Sequence, residues 1–137
     1  MTTQAVVAGV NGNMITARFE GTVRMNAVAY VILPQKDGDA LRLKAEVIRV
    51  RNDECDMQVF EDTRGVIVGM TVELTDEMLA LELGPGLLSL VVDGLGNPLE
   101  KLAEQSGYFL QRGLYLPTLD REKEWSYTPV ARTGDRL

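Results

Sequence analysis

The sequence predicts a mainly β fold organised around a small six-stranded antiparallel barrel. Two observations lead to this prediction: the first half of the chain alternates apolar and polar residues over short segments, and turn-forming residues separate those segments. Period-two alternation is typical of strands with one buried and one solvated face, and barrel closure leaves no strand edge exposed. The 137 residues, 45% hydrophobic and 25% charged, are enough for one ordinary folded domain or for a small domain with an appendage.

The first two strands form a predicted hairpin. Gln4–Val10 is apolar and β-branched, Asn11-Gly12 follows, and Asn13–Phe19 then alternates. Asn-Gly between two strand-like segments is a strong hairpin signal, because both turn residues must accept a positive φ. The buried face of the second strand would carry Ile15, Ala17 and Phe19.

Three further strands are predicted at Ala27–Leu33, Leu41–Arg51 and Cys55–Phe60. Polar turns at Lys36–Asp39 and Arg51–Glu54 separate them. One face of the longest of these strands would carry Leu41, Leu43, Ala45, Val47 and, at its end, Arg49.

A sixth strand is predicted after Gly65 and Gly69, which lie four residues apart in an apolar stretch that ends at Val72. A five-stranded oligonucleotide-binding barrel is the structural alternative, but its binding face uses aromatic and basic side chains. Only 6% of the residues are aromatic, and the net charge is −6, with Lys101 the single basic residue of positions 71–111. We therefore expect no nucleic-acid partner.

The centre of the chain is rich in turn residues. Leu87–Val92 is wholly apolar and lies between Gly84-Pro85-Gly86 and the loop Asp93–Pro98, which predicts a strand buried on both faces. Leu99–Gln105 predicts one or two helical turns that stop at Gly107.

Residues 106–137 predict an irregular, β-rich segment. Five aromatic residues are concentrated there without a clear period: Tyr108, Phe109, Tyr115, Trp125 and Tyr127. They could form a ligand platform, but packing on a neighbouring surface is the favoured interpretation. Because Thr133–Leu137 reads as a turn followed by the start of another strand, we expect the chain to belong to a longer protein.

The sequence offers little to build an active site. It has no histidine, which removes the commonest general base and metal ligand. No glycine begins the phosphate-loop pattern G-x-x-x-x-G-K-[ST], and Gly94-Leu95-Gly96 lacks the third glycine of a dinucleotide-binding loop. We expect no catalytic, cofactor-binding or metal-ligating residue in this chain.

The remaining candidate groups also favour structural roles. Asp53, Glu54 and Asp56 lie close together, but strand alternation would direct Glu54 and Asp56 away from Cys55, and we interpret all three as surface charges. Cys55 is the only cysteine, and its acidic neighbours should raise its pKa and make it unreactive. No apolar run is long enough to cross a bilayer and no secretory signal is recognisable, so a cytoplasmic location is expected.

A set of motifs resembles a known family. In order, the chain shows Glu82-Leu83-Gly84-Pro85-Gly86-Leu87-Leu88, then Asp93-Gly94 with Pro98-Leu99, then Arg112-Gly113, and finally Trp125 with Pro129. Across essentially all 137 residues this resembles the N-terminal region of the catalytic A subunit, or alpha chain, of V-type/A-type rotary ATP synthases. The loop Gly94–Pro98 is closer to related beta subunits, whereas Gly84-Pro85-Gly86 and Trp125 favour the A subunit.

The resemblance implies a division of the chain and a function for its parent. Residues 1–72 would form the barrel, 73–105 the start of the nucleotide-binding domain, and 106–137 the start of an insertion specific to A subunits. The parent would bind Mg-ATP, would sit in a hetero-hexameric head with B subunits, and would couple ATP chemistry to proton or sodium transport. The resemblance implies that this head would be cytoplasmic and peripheral to the membrane. The family's phosphate loop and catalytic residues would lie beyond Leu137, so this chain alone would be inactive and would serve ring assembly.

A second hypothesis is a stand-alone small β-barrel that acts as a binding or interaction module. It predicts a monomer with a compact C-terminal part and an accessible apolar groove. The first hypothesis predicts a frayed or irregularly packed segment after about residue 106, or a segment exchanged with another copy of the chain. A small enzyme is a third possibility and has almost no support in the sequence.

Overall fold

The computed structural model describes residues 2–36 and 38–136 and shows a closed six-stranded antiparallel barrel, which confirms the predicted fold class. Going around the barrel, the strand order is β1-β2-β5-β4-β3-β6. The strands are β1 (Thr3–Asn11), β2 (Met14–Phe19), β3 (Ala27–Leu33), β4 (Leu41–Arg51), β5 (Glu54–Val59) and β6 (Thr71–Met78). A 3-10 helix (Pro85–Leu87) and one α-helix, α1 (Leu99–Ser106), follow.

The first hairpin forms as predicted, but its turn is one residue later. Asn11 pairs with Met14, so the two turn residues are Gly12 and Asn13. Of these two, Gly12 has the positive φ, at 59°, as in a type II′ turn with glycine at its first central position. The inward residues are those expected, since Ile15, Ala17 and Phe19 are all buried.

A bulge changes the predicted pattern of β4. The pairing of β4 with β5 shifts between Val47 and Arg49, and an extra residue at a bulge reverses the alternation that follows it. Val47 is therefore buried, Arg49 is exposed, and Val50 packs against the core instead. The prediction that Arg49 continues the inward face is wrong for this reason.

The sixth strand closes the barrel. In β6, Val72 pairs with Ala5 of β1 on one side and with Val31 of β3 on the other. The strand runs to Met78, so the barrel continues past residue 72. Its interior is filled by fully buried aliphatic side chains from all six strands, including Val7, Ile15, Val31, Leu43, Met57 and Val72.

The region after the barrel differs from two of the predictions. Leu87–Val92 is not a buried strand, because Leu88 is 84% and Val91 is 67% exposed. Its only pairing among the described residues is an isolated bridge from Val92 to Pro98. An apolar run without a neighbouring strand gains no ladder hydrogen bonds. The composition of the run does not show whether such a neighbour is present.

The helix is confirmed. α1 spans Leu99–Ser106 and ends at Gly107, whose N–H donates to the Ala103 carbonyl. Beyond it, residues 107–136 are irregular and contain no strand, so the β-rich character predicted for 106–137 is wrong. Pro117 and Pro129 cannot donate to a β ladder, and Gly113 adopts a positive φ of 75°.

Two features named from the sequence extend outside the described residues. Asp37 belongs to the predicted turn Lys36–Asp39, and Leu137 is the residue at which a further strand was expected to begin. Within residues 2–36 and 38–136, no helix combines the length and the hydropathy that a membrane crossing requires.

We predict that the barrel core sets the stability of the chain. Ile15→Ala should lower the free energy of unfolding by about 2–5 kcal/mol, because Ile15 is fully buried and truncation leaves a cavity. Val130→Ala is the matched control: Val130 is 95% exposed, and its truncation should change stability by no more than about 0.5 kcal/mol. Urea unfolding followed by circular dichroism measures both, and equal effects would contradict the assignment of the core.

Candidate interaction surface

The clustered carboxylates of the β4–β5 hairpin form ion pairs with arginines. Arg18 on β2 lies 2.7 Å from Glu54 and 3.6 Å from Asp53. Arg18 and Asp53 are well exposed and Glu54 is partly buried, and pairs this accessible to water contribute little to stability. Over the described residues, no three or more His, Cys, Asp or Glu side chains are grouped to hold a metal ion.

Asp56 is the polar residue whose environment the sequence did not reveal. It points away from Cys55, as alternation predicts, but it is only 7% exposed. Its carboxylate accepts hydrogen bonds from Thr16 Oγ1 at 2.9 Å and Arg51 Nη2 at 2.7 Å, and Arg49 Nε lies 3.2 Å away. The neighbouring strands β2 and β4 thus cover it with polar side chains.

This environment favours the ionised form of Asp56. The hydrogen bond from Thr16 lowers its pKa most, and the hydrogen bond and charge of Arg51 and the charge of Arg49 act in the same direction, although burial opposes them. A buried charge with this many partners is a structural element of the barrel wall. The paired arginines 49 and 51 were the signal for it in the sequence, once the register of β4 and β5 is known.

Cys55 lies in the barrel core and is 1% exposed. Burial raises the pKa of its thiol from 9.0 to about 11, with a smaller contribution from the negative charge of Asp56. The expected direction is therefore confirmed, but burial, and not the acidic neighbours, is the main cause.

The glycine-containing loop at Asp93–Asn97 is an intramolecular turn. One carboxylate oxygen of Asp93 accepts hydrogen bonds from the N–H groups of Leu95 at 2.8 Å and Asn97 at 2.9 Å. The other accepts from Asn97 Nδ2 at 2.8 Å. Burial would raise the pKa of Asp93, but these hydrogen bonds lower it overall. Because Asp93 takes the place of an external anion, this loop does not fit a nucleotide phosphate.

Gly84-Pro85-Gly86 packs against the C-terminal part of the chain. A Cβ on Gly84 would lie 2.9 Å from Leu119 Cδ1, and one on Gly86 would lie 3.5 Å from the Trp125 ring. A cleft of about 450 Å³ remains beside this contact, lined by apolar residues such as Leu90, Pro98 and Trp125 and by Lys101. Arg121 and Glu82 form an ion pair across the same region.

The aromatic residues of the last quarter do not act as one group. Tyr108, Phe109 and Tyr127 are 104%, 85% and 81% exposed. Trp125 is half-buried near Gly86, with Lys123 Nζ 4.4 Å from its ring centroid. Only Tyr115 of the five reaches the barrel, where its hydroxyl accepts from the Lys44 N–H at 2.9 Å.

We call residues 112–118 the strap. Hydrogen bonds of this segment to the residues that follow β5 hold Tyr115 in place. Arg112 Nη1 donates to the carbonyls of Asp62 at 3.0 Å and Arg64 at 2.8 Å. Glu61, the second residue after β5, accepts from the Gly113 N–H at 2.6 Å and from the Tyr115 hydroxyl. Burial, followed by the hydrogen bond to Glu61, raises the pKa of Tyr115 well above its usual value.

The largest apolar exposure on the barrel lies in the loop before β6. Ile67 and Val68 are 63% and 62% exposed, and together with Ile32 and Pro34 they line a shallow groove. We call these four residues the barrel-end patch. Exposed apolar side chains that cluster are typical of protein–protein contact sites, so this patch is the candidate interaction surface.

The fold and these contacts define a small closed β-barrel domain with an irregular segment packed on its wall. The family profile described as "ATP synthase alpha/beta family, beta-barrel domain" matches residues 7–76, which is more than half of the chain. The chain belongs to this family.

The relatives narrow the similarity to one kind of subunit. The chain is 56% identical over 135 residues to "V-type ATP synthase alpha chain 1" of Treponema pallidum (strain Nichols). It is 53% and 52% identical over 135 residues to the V-type ATP synthase alpha chains of Treponema denticola and Borrelia turicatae. Each alignment covers 98% of this chain but only 22–23% of the relative, so the chain spans less than a quarter of their length.

We predict that the Asp56 network makes stability dependent on pH. Because the folded-state pKa of Asp56 is lowered from an unfolded value of about 3.9, its contribution is present above about pH 4. That contribution is lost as the pH falls through the folded-state value. Asp56→Asn should lower the free energy of unfolding by about 1–3 kcal/mol at pH 7. This difference from wild type should shrink below about pH 4.

Urea unfolding at pH 7 and below about pH 4 measures the difference in the free energy of unfolding between Asp56→Asn and wild type. Asp39→Asn is the control, because Asp39 is an exposed loop residue and should show little effect at either pH. A penalty for Asp56→Asn that stays constant on acidification would contradict the ionised network.

We also predict slow thiol chemistry at Cys55. At pH 8, a pKa of about 11 lowers the thiolate fraction by about a hundredfold relative to an ordinary cysteine, and burial blocks access further. Labelling with Ellman's reagent should therefore be at least about a hundredfold slower in buffer than in 8 M urea. A synthetic peptide of residues 50–60 provides the unfolded control, and equal rates for peptide and native chain would place Cys55 at the surface.

Proposed function

We propose that this chain is the N-terminal part of the catalytic alpha chain, or A subunit, of a V/A-type rotary ATPase. The parent enzyme would couple ATP hydrolysis or synthesis to the transport of protons or sodium ions. The observation that supports this most strongly is 50–56% identity over nearly the whole chain to V-type ATP synthase alpha chains. The match of the barrel-domain profile to residues 7–76 agrees with it.

The role of this part would be assembly of the ring. The barrel is closed, has a fully apolar interior, and presents the barrel-end patch to the outside. A rigid module of this kind can hold neighbouring B subunits in a hetero-hexameric head while conformational changes occur in other domains. The head would lie at the cytoplasmic surface, peripheral to the membrane.

The catalytic function would belong to the rest of the parent subunit. After β6 ends at Met78, residues up to 105 would lead into the nucleotide-binding domain, and 106–137 would begin the insertion specific to A subunits. The chain contains no G-x-x-x-x-G-K-[ST] pattern, and the Asp93 carboxylate occupies the amide groups of the glycine loop. Mg-ATP would therefore be held elsewhere in the parent, and this chain alone would not turn over ATP.

A stand-alone interaction module is the second candidate. The exposure of Ile67 and Val68 supports contact with another protein without specifying a rotary ATPase. The two functions differ in the partner: the first requires the B subunit and the second does not.

Binding to the B subunit of the same organism's V-type ATP synthase tests the assembly role. The purified chain should form a complex that native mass spectrometry detects. Ile67→Asp should weaken that complex at least tenfold, as expected when a charge is placed in an apolar contact. Val130→Asp is the matched control, because Val130 is equally apolar and 95% exposed but lies outside the barrel.

The outcomes separate the two parts of the proposal. If Ile67→Asp binds as wild type does, the barrel-end patch is not the contact, although the assembly role remains. No complex at high concentration would overturn the assembly role. Steady ATP hydrolysis by the purified chain would contradict the location of the active site elsewhere.

A further inference from the structure

The strap joins two parts of the molecule that are distant in sequence. At one end it binds the barrel through Glu61 and the Lys44 N–H. At the other end, the Leu116 N–H donates to Asn97 Oδ1 at 2.8 Å and Thr118 Oγ1 donates to the Gly96 carbonyl at 2.6 Å. Only two residues separate Tyr115 from Thr118, so both sets of contacts depend on one short stretch of backbone.

The space between these two parts is not filled by side-chain packing alone. A cleft of about 240 Å³ lies between Glu61 on the barrel side and the loop Asp93–Asn97, and Arg112 and Tyr115 line it. Hydrogen bonds of the strap span this gap. Two of these hydrogen bonds, from the Gly113 N–H and the Tyr115 hydroxyl, share the Glu61 carboxylate as their acceptor, and hydrogen bonds to a carboxylate are stronger than those between neutral groups.

The barrel end of the strap is fixed closely in position. Gly113 has a φ of 75°, and a Cβ at this residue would lie 2.8 Å from Leu41 Cδ2. The Tyr115 hydroxyl both donates to Glu61 and accepts from the Lys44 N–H. A displacement of the strap would leave the partly buried hydroxyl, carboxylate and amide without partners, which carries a large free-energy cost.

The loop end is built in the same way. Asn97 is 4% exposed and uses its amide group on both sides: Nδ2 donates to Asp93 at 2.8 Å, and Oδ1 accepts from Leu116. The loop therefore keeps its internal hydrogen bonds and the strap contact through one side chain. Disturbing either contact shifts the other.

We propose that the strap is a coupling element that makes its own attachment to the barrel wall, at Glu61 and the Lys44 N–H, and the Asp93–Asn97 loop open and close as one unit, while the barrel core stays closed. Release of Tyr115 from Glu61 and Lys44 frees the contacts of Leu116 and Thr118 with the loop, and release at the loop frees Tyr115. The coupling is internal to this chain and operates whatever larger assembly the chain enters. It gives the region after the barrel a fixed position on the barrel wall.

Residue-resolved amide hydrogen exchange by NMR tests the coupling in both directions. Tyr115→Phe removes the hydroxyl at the barrel end, and the amides of Leu116 and Asn97 should then exchange roughly tenfold faster. Thr118→Val removes the hydroxyl at the loop end with little change in shape, and the Lys44 amide should exchange faster by a similar factor. Tyr127→Phe and Thr128→Val are the matched controls, because both residues are exposed.

Each alternative result would overturn the proposal. If Tyr115→Phe changes only Lys44 and Gly113, the strap makes local contacts without coupling. If core amides such as Leu43 also exchange faster, the strap is part of the folding unit of the barrel. Gly113→Ala provides an independent variant, because it places a side chain at a positive φ with its Cβ against Leu41 Cδ2 without removing a polar group, and it should produce the same pattern at Asn97.

Discussion

The pairing of β6 with both β1 and β3 is the constraint on which the rest of the structure depends. Val72 in β6 lies between Ala5 and Val31, residues that are far from it in the sequence. Without this closure, β1 and β3 would present open edges and the shared interior would be exposed to water. The strap also depends on it, since Glu61, Asp62 and Arg64 lie in the connection between β5 and β6. Barrel closure therefore positions both the core and the surface that holds the C-terminal part.

Local sequence patterns were sufficient for most of the strands. The strand predicted at Ala27–Leu33, before Pro34, has its observed bounds. Alternation placed the inward residues of β2 on the correct face, because period-two patterning directly reflects one buried and one solvated side. The turn predicted within Arg51–Glu54, observed at Asn52-Asp53, and the stop of α1 at Gly107 were equally local. The order of strands around the barrel has no such signal, because it depends on contacts between segments far apart in the chain.

The errors share one physical cause, namely that burial is decided by neighbours distant in sequence. Asp56 was placed among solvated charges, yet Thr16 and two arginines from adjacent strands cover it. Leu87–Val92 was placed in the interior on hydrophobicity, yet no adjacent strand receives it within the part of the chain that the structure describes. After the bulge between Val47 and Arg49, the alternate residues of β4 face the barrel interior. No residue type in that segment predicts a bulge.

The family motifs were informative because their residues make tertiary contacts with residues distant in the sequence. Gly84 meets Leu119, Asn97 holds Leu116, and Gly113 lies against Leu41 and accepts no Cβ without displacement. Motifs separated by tens of residues therefore specify one packed arrangement around the barrel. The distinctive residues of this chain serve contacts within the chain. This is the physical reason that its sequence reveals a family more readily than a chemistry.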